Sequence, residues 1–467
     1  MAVLLPLENI RRLTGFGRAS ASDGYVFEAF SATDVEEVLK LARETERQVT
    51  LRAAARSYGD AATGAECIIL DLSQFNRILA FDQAQGIIEV EPGATLEQIW
   101  QYALPTGWWL PVVSGTTKTT LGGALAMNIH GKNNFLRGPL GEHVTTLEVL
   151  TPAGETWILS PGDELFNAVI SSAGLLGIIM RVKLQLKRIT SGDIWVEAVS
   201  CRHWDDQFQA FKRFEGKREY VVSWIDCFVS GATAGRGILH AARHEEEAPG
   251  AESLQLGHQA LPTTFFGVFP KSSMWRFLKI FNNRAGMRLV NFAKHQSGKM
   301  FEHGKSSRQS LAAYNFLLDY APGWERAYLP GGLIQCQFFI PRENARDAFE
   351  HLVNMQQEAK LESFLAVMKR HRPDNFLFSH AVDGYSLALD FKVTEAGRER
   401  LWDLAKRMQD YALGQGGRFY FAKDSTLTAE QAARFLGPDL AKFRELKGKH
   451  DPENLLTSDL ARRLKIG

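Results

Sequence analysis

Cysteine is scarce and scattered: the 467-residue chain has Cys67, Cys201, Cys227 and Cys336, with no C-x-x-C among them. That spacing argues against a zinc knuckle or iron–sulfur cluster, so no metal is expected, and it fits a reducing compartment. Long apolar runs are missing as well. The N-terminal run Val3-Leu4-Leu5 stops at Pro6 and Glu8, too short for a signal-peptide core, and no window approaches the length of a membrane span. A cytoplasmic protein without signal peptide or transmembrane helix is expected. Charge of one sign does not accumulate over the whole chain: the formal net charge is +1, which does not point to nucleic acid. There is no G-x-x-x-x-G-K-[ST] and no G-x-G-x-x-G after an early strand, which excludes a P-loop and an ordinary dinucleotide fingerprint. One absence is local: residues 253–301 contain no Asp or Glu.

What the chain does have is a glycine- and threonine-rich stretch, V-S-G-T-T-K-T-T-L-G-G-A-L-A-M-N-I-H-G-K-N-N, over residues 113–134. Glycine lets the backbone turn sharply and lets a ligand approach its N–H groups. Such N–H groups at the start of a helix suit a diphosphate, and the polar tip His130-Gly131-Lys132-Asn133 would then face a reacting atom. A turn of this kind before a small-residue helix is common, so the surroundings must carry the argument.

The first 190 residues read as an α+β unit. Residues 31–47 predict a helix with Thr33 and Glu36 as a capping box and Val35, Val38, Leu39 and Ala42 on one stripe. Strands are predicted at 49–53, 68–72, 87–90, 144–150, 155–159 and 179–186, and helices at 95–104 and 166–172. Beyond 191 the texture changes. Strands at 220–228, 237–241, 333–340, 363–368 and 385–393, with helices at 342–359 and 394–413, predict one open sheet with helices on one face. By alternation Gln335 shares a face with Gln337, and Ser386 with Ala388 and Asp390. Polar residues inside apolar strands line a pocket or satisfy a core network.

Residues 244–305 interrupt that sheet. Glu245–Glu247 with Pro249-Gly250 reads as an acidic loop. The stretch without acid then carries Lys271, Arg276, Lys279, Arg284, Arg288, Lys294 and Lys299 among Phe265, Phe266, Phe269, Trp275, Phe277, Phe281 and Phe292. Basic residues mixed with aromatics suit an anionic lipid surface or a lipid-phosphate substrate; a basic amphipathic helix packed on its own domain is the plainer alternative.

The order R-S-Y-G-D, G-T-T-K-T-T-L-G-G, H-G-K-N, G-L-L-G-I-I and K-H-D-P-E-N-L resembles the vanillyl-alcohol-oxidase, or PCMH-type, family of FAD-linked oxidases over nearly the whole chain. I-H-G-K-N, A-K-D-S at 422–425 and S-D-L-A-R-R-L at 458–464 resemble the branch that oxidises a polyprenyl-phosphoryl ribose. The resemblance implies a two-domain fold. Residues 1–190 form the FAD-binding domain, 191–415 a substrate domain on an antiparallel sheet flanked by helices, and 416–467 return to the FAD domain.

It also implies roles. FAD contacts fall on the turn Ala53, Ala54, Ala55, Arg56, Ser57, Tyr58, Gly59 and Asp60. They fall too on Gly115, Thr116, Thr120, Leu121, Gly122 and Gly123, on His130, Gly131, Lys132 and Asn133, and on Ile179 and Tyr420. Lys423, His130 and Lys132 are the catalytic candidates, with Lys423 placing the substrate hydroxyl and the reduced ring electrostatically. Gln335, Gln337, Lys369, Asp390, Trp224 and Tyr314 match substrate positions. The implied reaction passes hydride from a secondary alcohol to flavin N5, as the first half of a 2'-epimerisation that a separate NAD(P)H-dependent reductase completes, with peripheral contact at the inner membrane face. A soluble alditol or aldonolactone oxidase and an inactive flavin-binding protein are the alternatives. Two departures matter. Tyr58 stands where many members tether FAD through histidine, implying dissociable FAD. Alanines 53–55 stand where the resembled branch has glycines, which costs stability if the turn needs positive φ.

Overall fold

The computed structural model describes residues 4–245, 251–265 and 269–467. Val3, most of the acidic loop (246–250) and Phe266 lie outside the described residues. The fold is α+β, built on three main sheets of four, five and eight strands, with two further two-stranded pairs among the described residues.

The first sheet has four strands in the order Ile10–Thr14, Ala21–Glu28, Ile68–Asp71 and Val49–Arg52. The last three run parallel, and helix Ala32–Glu44 covers them with Val35, Val38, Leu39 and Ala42. That stripe is the predicted one, but its cap is not. Ser31, in extended backbone, accepts from the Asp34 N–H at 3.3 Å, so Thr33 and Glu36 form no capping box. A full box sits instead at Thr95 and Gln98, opening helix Leu96–Ala103.

The second sheet is antiparallel: Ile78–Asp82, Ile87–Val90, Ile178–Gln185, Val144–Leu150 and Thr156–Leu159. In Ile178–Gln185, Val182 and Leu184 are buried while Arg181 and Lys183 are exposed, as their alternation predicts. The strands over residues 10–28 and Ile78–Asp82 are additions. Their mixed polar sequences and largely exposed edges gave no clean period.

The third sheet has eight antiparallel strands, ordered Ser306–Ser310, Asp193–Cys201, Gly237–His244, Tyr220–Ile225, Leu365–His371, Gly384–Lys392, Leu333–Pro341 and Arg418–Phe419. Helices Trp204–Phe214, Arg342–Glu358 and Arg398–Gly414 pack on one face, joining Phe211, Phe349 and Leu404 to Cys336, Phe338, Leu387 and Leu389. The other face is free to line a site. Residues 245–305 form the excursion between Gly237–His244 and Ser306–Ser310, with helices Met274–Phe281 and Arg284–Ser297.

The chain's last stretch threads back into the first sheet. Val49 N–H donates to Leu455 O at 2.7 Å and Thr457 N–H donates to Val49 O at 2.9 Å. Arg463 bridges Asp60 and Asp424, each at 2.8 Å.

Candidate active site

Between the sheets lies a cavity of about 980 Å³, at the upper end of the range for small-molecule sites. The turn at 53–58 forms one wall. Its backbone is laced on both sides: Phe16 N–H donates to Ser57 O at 2.8 Å, Gly17 N–H to Tyr58 O at 3.0 Å, and Tyr58 N–H to Ala422 O at 2.8 Å. The last of these bonds seats Lys423 against the turn, with Nζ 3.8 Å from the Tyr58 ring centroid. Of the three alanines in this turn only Ala55 has positive φ, +48°, in the left-handed region.

The glycine–threonine turn forms a second wall through Gly115, Thr116, Thr120, Gly122 and Gly123. Here the helix-terminus expectation needs correction. Leu121 N–H donates to Ala94 O and Gly122 N–H to Pro92 O, both at 2.8 Å, so those amides are spent on packing. The turn is also clamped from above: Thr116 Oγ1 and Thr117 N–H donate to the Asp319 carboxylate, each at 2.7 Å.

The third wall is the free face of the eight-stranded sheet, and strand register orders it in rows. Gln335, Asp390 and Leu365 lie side by side. Gln337, Ala388, Val367 and Trp224 form the next row. Phe339, Ser386, Lys369, Val222 and His240 form the third. In the first two rows a polar end therefore grades into an apolar one, while the third keeps Lys369 and His240; under the excursion Leu256, Leu261 and Lys294 complete the lining. Lys294 Nζ sits 4.5 Å from the Trp224 ring.

Most anticipated residues meet on these walls: Ala53 to Tyr58, Gly115, Thr116, Thr120, Gly122, Gly123, His130, Lys132, Ile179, Trp224, Gln335, Gln337, Lys369, Asp390, Tyr420 and Lys423. Six stand behind the wall. Gly59 is packed so that a Cβ would lie 1.9 Å from Asp424 O, and Asp60 is held by Arg463. Leu121 is core. A Cβ on Gly131 would meet Asn133 Oδ1 at 2.5 Å, and Asn133 Nδ2 donates to Pro111 O at 2.9 Å. Tyr314 supports Lys132, whose Nζ lies 4.0 Å from its ring centroid and donates to its carbonyl. His371, Asn134 and Asp319 were not anticipated as site residues. The signal for His371 was available, since it lies two residues beyond Lys369 on the same strand and so shares its face.

The electrostatics are cationic. Lys132, Lys369 and Lys423 line the cavity. Desolvation lowers Lys132 to about 7, helped by the charge of Lys369. Desolvation lowers Lys369 to about 8. It lowers Lys423 to about 7, against the pull of Asp390. The Asp390 carboxyl is pushed up to about 6 by burial, opposed by its hydrogen bond from Gln335 and by Lys423. Burial also holds His130 and His371 well below the usual histidine value, and His380 at about 3. With one buried carboxylate among three lysines, the site favours an anionic guest.

An FAD binding domain model matches residues 24–160. That segment is an FAD binding domain of the PCMH type, and the chain is an FAD-dependent oxidoreductase. In particular, it is 29% identical to decaprenylphosphoryl-beta-D-ribose oxidase of Mycolicibacterium smegmatis, over 98% of this chain and 98% of the relative. L-gulono-1,4-lactone dehydrogenase of Mycobacterium tuberculosis is 22% identical over 93% of this chain and 94% of its own length. L-gulonolactone oxidase 3 of Arabidopsis thaliana is 21% identical over 87% and 74%. The cavity fits FAD: it is walled by two backbone turns and a sheet face, is rich in cations, and its lining residues hold unpartnered buried polar atoms at Arg56 Nε, His130 Nδ1 and Asp390 Oδ2 among the described residues.

Proposed function

We propose that the chain oxidises the 2'-hydroxyl of a polyprenyl-phosphoryl pentose, ribose, to a keto sugar, and that a separate NAD(P)H-dependent reductase completes an epimerisation. The observation that carries this reading is the grading of the first two rows from Gln335, Gln337 and Asp390 to Leu365, Val367 and Trp224 beneath a basic excursion. A sugar suits the polar end and a lipid tail suits the apolar one. The full-length likeness to a polyprenyl-phosphoryl ribose oxidase supports the same reading.

Bound FAD supplies the hydride acceptor. The protein's own groups do the rest. Gln335 and Gln337 orient hydroxyls, Lys369 and Lys132 supply positive charge, Lys423 places the substrate hydroxyl and balances charge that builds on the ring, and the hydroxyl proton leaves to the Asp390 carboxylate, whose Oδ2 has no partner among the described residues. Asp390 sets the charge state of Lys423. FAD is held without a covalent bond, because Tyr58 offers no tethering nitrogen.

The excursion exposes Phe277, Ile280, Leu289, Phe292, Met300 and Phe301 beside Arg276, Lys279, Arg288 and Lys299. Apolar side chains ringed by cations suit peripheral docking on an anionic membrane. Lys271 does not take part, being buried with Nζ 3.5 Å from the Tyr320 ring.

The deciding experiment is an anaerobic visible spectrum titrated with a polyprenyl-phosphoryl ribose analogue, with free ribose and with L-gulonolactone. Bleaching of the oxidised-flavin band by the first alone is expected. Equal bleaching by free ribose overturns the phosphate-lipid reading. Bleaching by the lactone alone establishes the second reading, an aldonolactone oxidase, which the lactone-oxidising relatives favour.

A further inference from the structure

A line of hydrogen bonds runs behind the cavity wall from Asn134 to His130. His371 Nδ1 lies 3.0 Å from Asn134 Oδ1, and His371 Nε2 lies 2.8 Å from Ser386 Oγ. Gln337 Nε2 lies 3.0 Å from Ser386 Oγ and 3.1 Å from His130 Nε2. All five side chains are buried.

The direction of the line is fixed at one end. Asn134 Oδ1 also accepts the backbone N–H of Arg372 at 3.3 Å. A backbone N–H only donates, so the atom facing it must be the amide oxygen. His371 Nδ1 therefore carries a hydrogen, and in the neutral ring its Nε2 is a bare acceptor. Ser386 must give its hydroxyl hydrogen to that nitrogen, which leaves Oγ to accept from Gln337. Gln337 then turns its –NH2 toward both neighbours, and its second hydrogen reaches His130 Nε2. His130 Nε2 is consequently an acceptor, and the ring's one hydrogen sits on Nδ1. That nitrogen has no partner among the described residues. Running the line backwards would set the lone pairs of Asn134 Oδ1 and His371 Nδ1 face to face.

We propose that His371 is a positioning residue that, through Ser386 and Gln337, locks His130 as its Nδ1–H tautomer, so that His130 Nε2 stays engaged as the acceptor of Gln337 and does not accept the substrate's proton. Burial keeps both rings neutral, which the directional argument requires. The inference draws its meaning from the flavin-site reading above, but its test needs no substrate.

The FAD-loaded full chain is labelled with 15N-histidine, and the ring nitrogens are read by long-range 1H–15N correlation near pH 7.5. The His130 signals are identified by their loss in His130→Gln. The expected pattern for His130 is a protonated Nδ1 and a bare Nε2. Ser386→Ala breaks the line and is expected to give mixed tautomers, whereas Ser386→Thr, which keeps the hydroxyl, is expected to restore the single form. A protonated Nε2 in the unaltered protein overturns the proposal, as does a Ser386→Ala spectrum unchanged from it.

Discussion

The ammonium of Lys423 stands 3.8 Å from the centre of the Tyr58 ring, and the bond from Tyr58 N–H to Ala422 O fixes that pairing through the backbone. Two sequence segments more than 360 residues apart thus build one corner of the cavity. Because that corner carries a phenol in place of an imidazole, FAD is expected to leave the protein on acid precipitation. The yellow colour should appear in the supernatant; flavin fluorescence remaining on the denatured polypeptide would contradict this.

Lys423→Met is expected to lower kcat/KM by about 10²-fold, the order lost when one charge-stabilising donor is removed. In the unaltered enzyme Lys423 is charged only below about 7, so kcat/KM should fall as pH rises through that value, and the variant should lack that limb. A limb rising through the same pH would instead mark the neutral amine as a base.

The same lysines make a stability prediction. Their folded values, about 7 for Lys132 and Lys423 and about 8 for Lys369, lie below the ordinary ~10.4. The unfolded chain binds more protons across that window, so their contribution to stability improves as pH rises from about 7 to ~10.4. Lys423→Met should melt above the unaltered protein at pH 6.5, and the gap should narrow toward pH 10. A gap that widens with pH would contradict the assignment.

Ala55 holds a left-handed backbone with φ +48°. Ala55→Gly is expected to stabilise the fold by about 0.5–1 kcal/mol, the steric relief exceeding the added chain entropy. Denaturant midpoints at constant slope measure it, and a lower midpoint would show that the strain is absent.

Arg276→Glu with Lys279→Glu is expected to abolish sedimentation with anionic liposomes while leaving the flavin spectrum unchanged. Cosedimentation equal to the unaltered protein would remove the excursion from the membrane reading.

What could be read from sequence followed from periodicity and motif. The strand at Ile178–Gln185 alternates cleanly because one face is core and the other water. The shared faces of Gln335 with Gln337, and of Ser386 with Asp390, follow from the two-residue period of a strand. The spent amides of Leu121 and Gly122 were not legible, because their acceptors at Ala94 and Pro92 depend on how a separate loop packs. Asp319 was invisible for the same reason, as it sits in an aperiodic stretch with a partner 202 residues away. Tyr314 was misplaced because a short-range pattern does not say whether an aromatic faces a cavity or stands behind the lysine that does.

The return of residues 455–463 to Val49 and Asp60 has a consequence for how the protein is made. A nascent chain can lay down the helix Ala32–Glu44 and its strands early, but the edge at Val49 and the carboxylate of Asp60 wait for partners about 400 residues further along the chain. Arg463 also grips Asp424, next to Lys423, so the corner beside Tyr58 closes only once residues 455–463 have been made. A chain interrupted before residue 455 is therefore expected to leave that corner open.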